Sequence, residues 1–126
     1  MKFLVLLGRI LYSALFIKAA PAHFSAASIA YAASQGTPVA FIAVPVSGLL
    51  ALLGGLSIAL GFKAKWGAWL LVLFLVPVSL IAHRFWGLAD AQAAMMQQTQ
   101  FMKNMSMLGA ALLIAHFGSG PLSVKE

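Results

Sequence analysis

The sequence contains no cysteine. Disulfides, thiol chemistry, cysteine-ligated zinc and iron–sulfur clusters are thereby excluded within this chain. Acids are nearly missing as well: Asp90 is the only one ahead of the terminal Glu126. With three scattered histidines and no nucleophile elbow, a hydrolytic triad has nothing to draw on. No glycine-rich loop follows a strand pattern, so no phosphate-binding loop is expected. Charge of either sign is scarce, at 8% of residues against roughly 25% in soluble domains.

What remains is grease. Hydrophobic residues make up 63% of the 126, and the mean hydropathy is +1.00. A soluble chain of this composition would lack the polar residues to cover its surface, whereas an integral membrane protein needs no such cover. The length suits one domain, residues 1–126. The net charge is +6, but its basic residues are scattered between apolar runs with no basic arm or stripe, so nucleic acid is not an expected partner. The lipid bilayer is.

Four apolar segments are expected to span the membrane as helices, at about 3–20, 39–60, 66–85 and 103–118. The first, FLVLLGRILYSALFIKAA, imitates a secretory signal. Arg9 interrupts its apolar run and Lys18 sits where a cleavage region should be neutral, so a retained helix is the better reading. Pro21 marks its end. Residues 23–37 are mild and small and predict a short interfacial helix stopped at Gln35-Gly36-Thr37-Pro38. Pro45 and Pro77 fall inside the second and third spans, where each predicts a kink. Trp66 and Trp86 lie about 30 Å apart along a helix and read as the two aromatic belts. Residues 87–101 turn polar and predict a second short surface helix. The fold class is therefore all-α: a membrane four-helix bundle with short interfacial helices in its two outer loops. An even number of spans puts Lys2, Lys63, Lys65 and Lys125 on one face, which the positive-inside rule makes cytoplasmic, with both termini.

Ser47, Ala51, Gly55 and Ala59 recur every fourth residue, a small-residue stripe that marks a close packing face. It serves contact within the chain or a homo-oligomer interface.

Arg9 is the deepest cation. Tyr12, Ser13 and Phe16 share its helix face, while Lys18 lies about half a turn round and can snorkel outward. Three readings stay open for Arg9: reaching cytoplasmic phosphates, pairing with carbonyls or polar groups in the bundle, or binding an anionic or quinone-like ligand. At the outer face His23, Ser79, His83, Arg84, Asp90, Lys103 and Asn104 form the richest polar cluster. It suits a quinone headgroup, an oxyanion, or an interfacial belt with an Asp90–Arg84 or Asp90–Lys103 pair. The candidate ligand-binding residues are thus Arg9, Tyr12, His23, Ser79, His83, Arg84, Lys103 and Asn104. No residue is assigned to catalysis or to a metal. Haem is disfavoured: His23 and His83 can be level, but His116 is near the other face and no covalent attachment motif exists. Met95, Met96, Met102, Met105 and Met107 admit copper(I), yet methionine is also ordinary packing filler.

Gly8-Arg9 with Lys18, the 34–38 run SQGTP, Gly54-Gly55 with Gly61, His83-Arg84-Phe85-Trp86, and QFMKN (100–104) followed by LGAA (108–111) and GSGPLS (118–123) together resemble the DoxX family of small inner-membrane proteins. The resemblance covers nearly the whole chain. It implies a four-helix protein of a bacterial or archaeal cytoplasmic membrane. It further implies a small subunit of a quinone-linked or oxidative-stress redox system, with a membrane or soluble redox partner and quinone as the admissible cofactor. One departure stands out: where family members often carry an acid three residues before the Gly-Gly pair, this chain has Ala51. The alternative is a small transporter or lipid- or anion-binding membrane protein without redox activity, or a structural scaffold.

Overall fold

The computed structural model describes residues 2–81, 83 and 85–124. They form an all-helical membrane protein. Helix α1 spans Lys2–Ala19, a 3-10 helix spans Ala20–Phe24, and α2 spans Ala26–Ser34. Helices α3 (Ala40–Leu60), α4 (Ala64–Ile81) and α5 (Ala91–Phe117) complete the chain. The segments Lys2–Phe24, Ala40–Leu60 and Ala64–Ile81 are long and apolar enough to cross a membrane.

Local chemistry sets the boundaries. Ser25 caps α2 by accepting from Ser28 N through its hydroxyl. Gly61, at φ 70°, ends α3, with its own N–H on Ile58 O and Phe62 N–H on Ser57 O. This left-handed double closure is one that glycine adopts without cost. Asp90 caps α5, its carboxylate accepting from Gln92 N–H at 3.2 Å. The expectation of a short surface helix separate from the last apolar segment is corrected here: Ala91–Phe117 is one helix, α5, of 27 residues. Between Gln97 and Met105 stand only residues a helix accepts, so the change from polar to apolar surface needs no break.

Helix α3 is the hub. It packs on α1, α4, the 3-10 helix and α2, while α5 packs on α4. Small residues make this possible. Ala51, Ala64, Ala68 and Ala111 are buried with Ile58, Leu71 and Leu75 in the core. A Cβ at Gly54 would stand 2.8 Å from Gly67 O, so α3 and α4 touch backbone to backbone there. In lipid there is little hydrophobic gain from helix association, and close van der Waals contact supplies the attraction instead. Within the four-residue stripe, Ala51 is fully buried and Gly55 faces Phe16 and Ile17 of α1. That part of the stripe serves contact within the chain.

The helices alternate in direction. The start of α1, the α3–α4 turn and residues 118–124 meet at one end, tied by Arg9 and by Val124 N–H on Leu60 O. The 3-10 helix, α2, His83 and the start of α5 lie toward the opposite end.

Candidate functional site

Two polar features interrupt the apolar body. The first surrounds Arg9, which is 5% exposed. Its Nη1 donates to Ser119 O and Pro121 O, both at 2.8 Å, and its Nη2 to Leu122 O at 2.7 Å. Leu122 sits at φ 58°, a left-handed conformation that costs a non-glycine residue roughly 1–2 kcal/mol. Hydrogen bonds to a charged donor are worth about 1.5–3 kcal/mol each and offset that strain. A Cβ at Gly61 would collide with Ser123 and stand 3.3 Å from the Arg9 guanidinium carbon, so glycine lets residues 118–124 lie against the helix end. Of the three readings open for Arg9, the geometry realises the carbonyl one.

One turn further along α1, Tyr12 donates its hydroxyl to Met107 O at 2.6 Å, joining α1 to α5. Its ring begins a line of aromatic contacts through the interior: Tyr12 to Phe16 at 5.2 Å, Phe16 to Phe74 at 6.2 Å, and Phe74 to His23 at 5.5 Å. All three are tilted or edge-on, the arrangement that the ring quadrupoles favour.

That line ends at the second feature, a groove of about 740 Å³ between the 20–38 connector, α3 and α4. The volume lies in the range of small-molecule sites. Its walls are Val44, Val46, Leu50, Leu73, Phe74 and Val78, with neighbouring alanines and prolines. Its polar groups are His23, Ser28, Tyr31, Thr37 and Ser47. Among the described residues no Lys, Arg, Asp or Glu lines it. Helix α2 forms one side without burying any of its own residues. His23 is positioned by its own turn and by α3. Its Nδ1 lies 3.1 Å from Ala19 O, and Gly48 leaves room for it, since a Cβ there would stand 2.6 Å from His23 Cβ.

Of the eight residues read from sequence as ligand-binding, His23 lines this groove. Arg9 and Tyr12 hold carbonyls of other segments. Ser79 is fully buried in α4 and its hydroxyl finds no partner among the described residues. His83 Nδ1 lies 3.0 Å from Gln97 Oε1, fixing the end of α4 against α5. Asn104 is buried on α5. Lys103 is exposed on α5 beside a shallow depression with Thr99 and Ser106. Arg84 and the expected Asp90–Arg84 pair lie outside the described residues. Asp90 serves as the helix cap, about 20 Å along α5 from Lys103. Among the described residues no three His, Asp or Glu side chains gather in the manner of a metal site. Sequence reasoning passed over Tyr31, Thr37, Ser47 and Phe74 as groove residues. The available signal was weak: a proline-bounded connector of small and hydroxyl residues, too mild to signal a site.

Comparison with known proteins now bears on identity. A model of the SURF4 family matches residues 1–126. The inner membrane protein YphA of Escherichia coli (strain K12) is 28% identical over 99 residues, 79% of this chain and 70% of YphA. The ER-derived vesicles protein ERV29 of Saccharomyces cerevisiae is 28% identical over 78 residues. That stretch is 62% of this chain but 25% of ERV29, so the likeness spans a quarter of that relative. No solved structure matches. These matches correct the DoxX resemblance, and with it the expected subunit of a quinone-linked or oxidative-stress redox system and its redox partner. The resemblance rested on the order and spacing of short motifs, such as Gly54-Gly55 with Gly61, and QFMKN (100–104) followed by LGAA and GSGPLS, whose glycines and cations are not peculiar to one family. They serve close packing and orientation in any small multi-span protein.

Proposed function

This chain belongs to the SURF4 family, and from that footing we propose that it is a membrane protein that binds a lipid-like molecule in the groove beside α3, without redox activity. One observation carries the reading: a groove of about 740 Å³, open along the helix bundle and lined by apolar side chains with a few hydroxyls and one imidazole. Burying an isolated charge in such a lining is costly, so of lipid and anion the lining favours lipid. Arg9, Tyr12, Ser79, His83 and Asn104 then act as supports for the bundle.

The wider arrangement follows the same reading. The chain acts as one domain over 1–126, with the apolar second half of α5 as a fourth span. The clasped end carries Lys2, Lys63 and Lys65 and faces the cytoplasm, so the groove opens into the outer leaflet. YphA's name supports a bacterial inner membrane as the location. ERV29 is named for ER-derived vesicles, which likewise sets that relative at a membrane.

The test is mass spectrometry of lipids retained by protein purified in a mild detergent. Wild-type protein is expected to retain a defined lipid complement. Ala27→Trp together with Ser47→Phe, which fill the groove, should abolish it while leaving the melting temperature unchanged. An identical lipid complement in wild type and in this double variant would overturn the reading.

A further inference from the structure

We infer that α2 is a hinged lid on the groove, closed over a bound lipid against backbone strain at Val39 and released when the groove empties. The inference rests on the groove being a lipid site and adds how that site opens.

Three observations lead to it. The first is how little holds α2 from the side. It supplies Ala27, Ser28, Tyr31 and Ala32 to the groove wall, yet none of its residues is buried. Among the described residues every hydrogen bond made by residues 26–34 stays within 25–37. The chain on either side is fixed. His23 and Phe24 rest on Gly48, where a Cβ would stand 2.6 Å and 3.2 Å from them. Ala40 and Val44, at the start of α3, are buried.

The second is that α2 is closed at both ends. Ser25 caps its first turn. At the other end Gly36 N–H bonds to Ala33 O and Thr37 N–H to Ala32 O, with Gly36 at φ 90°, a left-handed closure like that of α3. A helix finished in this way moves as one body. Pro38 fixes its own φ and restrains Thr37 before it. Turning between α2 and α3 is thereby concentrated at Val39, with extended Ser25 as the hinge at the far end.

The third is the conformation of Val39. It caps α3 at φ 49° and ψ 50°, in the left-handed region, where a β-branched residue is an outlier. Helix caps are ordinarily extended. Its carbonyl accepts from Ile42 and Ala43 N–H, and rotation about φ leaves both bonds in place while swinging the chain before it. Such strain persists only where the surroundings hold it. The Val39 side chain is exposed, so its own packing does not. What holds it is the seat of residues 25–38 over the groove. The closed lid carries the strain, and an occupant touching α2 from within, above all at Tyr31, offsets it.

The chain has no cysteine, so introduced ones are unique labelling sites. Full-length protein in nanodiscs of phosphatidylethanolamine and phosphatidylglycerol carries spin labels at Ala30→Cys and Leu80→Cys, both outside the groove lining. Leu49→Cys with Leu80→Cys reports α3 against α4. Electron double resonance should give two distances for the α2–α4 pair and one for the α3–α4 pair. Glycine takes either sign of φ, so Val39→Gly should shift the α2–α4 ratio about tenfold toward the shorter distance. Tyr31→Ala trims the largest α2 side chain on the groove. It should shift the ratio the other way and lower the lipid retained on purification. A single α2–α4 distance that Val39→Gly leaves unmoved overturns the lid and leaves the lipid site standing. Faster amide exchange across residues 29–34 in Tyr31→Ala would mean that α2 unravels, which also overturns a hinged lid. An unchanged ratio and unchanged lipid in Tyr31→Ala overturns the link between lid and occupant. Failure of the lipid site itself shows separately, as an identical lipid complement in wild type and the groove-filling double variant.

Discussion

Arg9 donates a hydrogen bond to the carbonyl oxygen of Ser119, 110 residues later in the chain, at 2.8 Å. Two more bonds, to Pro121 and Leu122, make the guanidinium a clasp that holds residues 118–124 against the start of α1. A cation within an apolar helix costs about 3 kcal/mol or more unless its donors are met. Here backbone carbonyls meet Nη1 and Nη2, while the buried Nε finds no partner among the described residues. Arg9→Leu should therefore unmake the clasp. We expect a loss of roughly 2–4 kcal/mol in stability and early proteolytic cleavage within residues 118–124, read by thermal melting in detergent and by limited proteolysis. Arg9→Lys, without the planar fork, should recover only part of it.

Gly61 tests the same clasp from the other side. Gly61→Ala puts a Cβ on a residue at φ 70° and into Ser123. The left-handed backbone alone costs about 1 kcal/mol. Amide exchange at Val124, whose N–H is bonded to Leu60 O, should rise sharply. Combined with Arg9→Leu, the two losses should be less than additive, since both release one segment. Strict additivity would show that the two residues act separately.

Tyr12→Phe removes the hydroxyl bonded to Met107 O and keeps the ring contact with Phe16. A cost of about 1 kcal/mol is expected. The change should appear as a wider distance distribution between spin labels on α1 and α5, with those between α3 and α4 unaltered.

Asp90 separates a cap from an ion pair. Asp90→Asn keeps an oxygen acceptor and should be nearly silent, while Asp90→Ala should cost about 1 kcal/mol and fray the first turn of α5. Amide exchange at Gln92 reports it. Equal damage from both substitutions would point to the negative charge instead.

Gly48→Ala should push His23 aside, because the added Cβ would stand 2.6 Å from His23 Cβ. Lipid retained on purification is expected to fall, with the clasp at Arg9 intact by proteolysis. Unchanged retention would mean that the position of His23 is immaterial.

The apolar runs that suggested the first three spans overlap α1, α3 and α4, because hydropathy is a local property, although the third was expected to reach residue 85 and α4 ends at Ile81. Gly61 and Pro21 could be read as boundaries for the same reason. Asp90 was legible only as a scarce charge, since a cap differs from an ion-pair partner by a backbone geometry that composition does not carry. The small-residue stripe declared a packing face without declaring its neighbour. Gly55 meets α1 and Gly54 meets α4, an allocation set by how the helices rotate about α3.

What the sequence by itself determined was the solvent: so few charges and so many apolar residues permit a bilayer and little else. It also determined that Arg9 must find acceptors, because no buried guanidinium persists without them. Only the tertiary structure decided which acceptors these are, since the carbonyls of residues 119–122 carry no side-chain signature and lie far along the chain. The groove is likewise a product of packing. Its walls come from the connector, α3 and α4, and a cavity between three segments exists only once their separation in space is set.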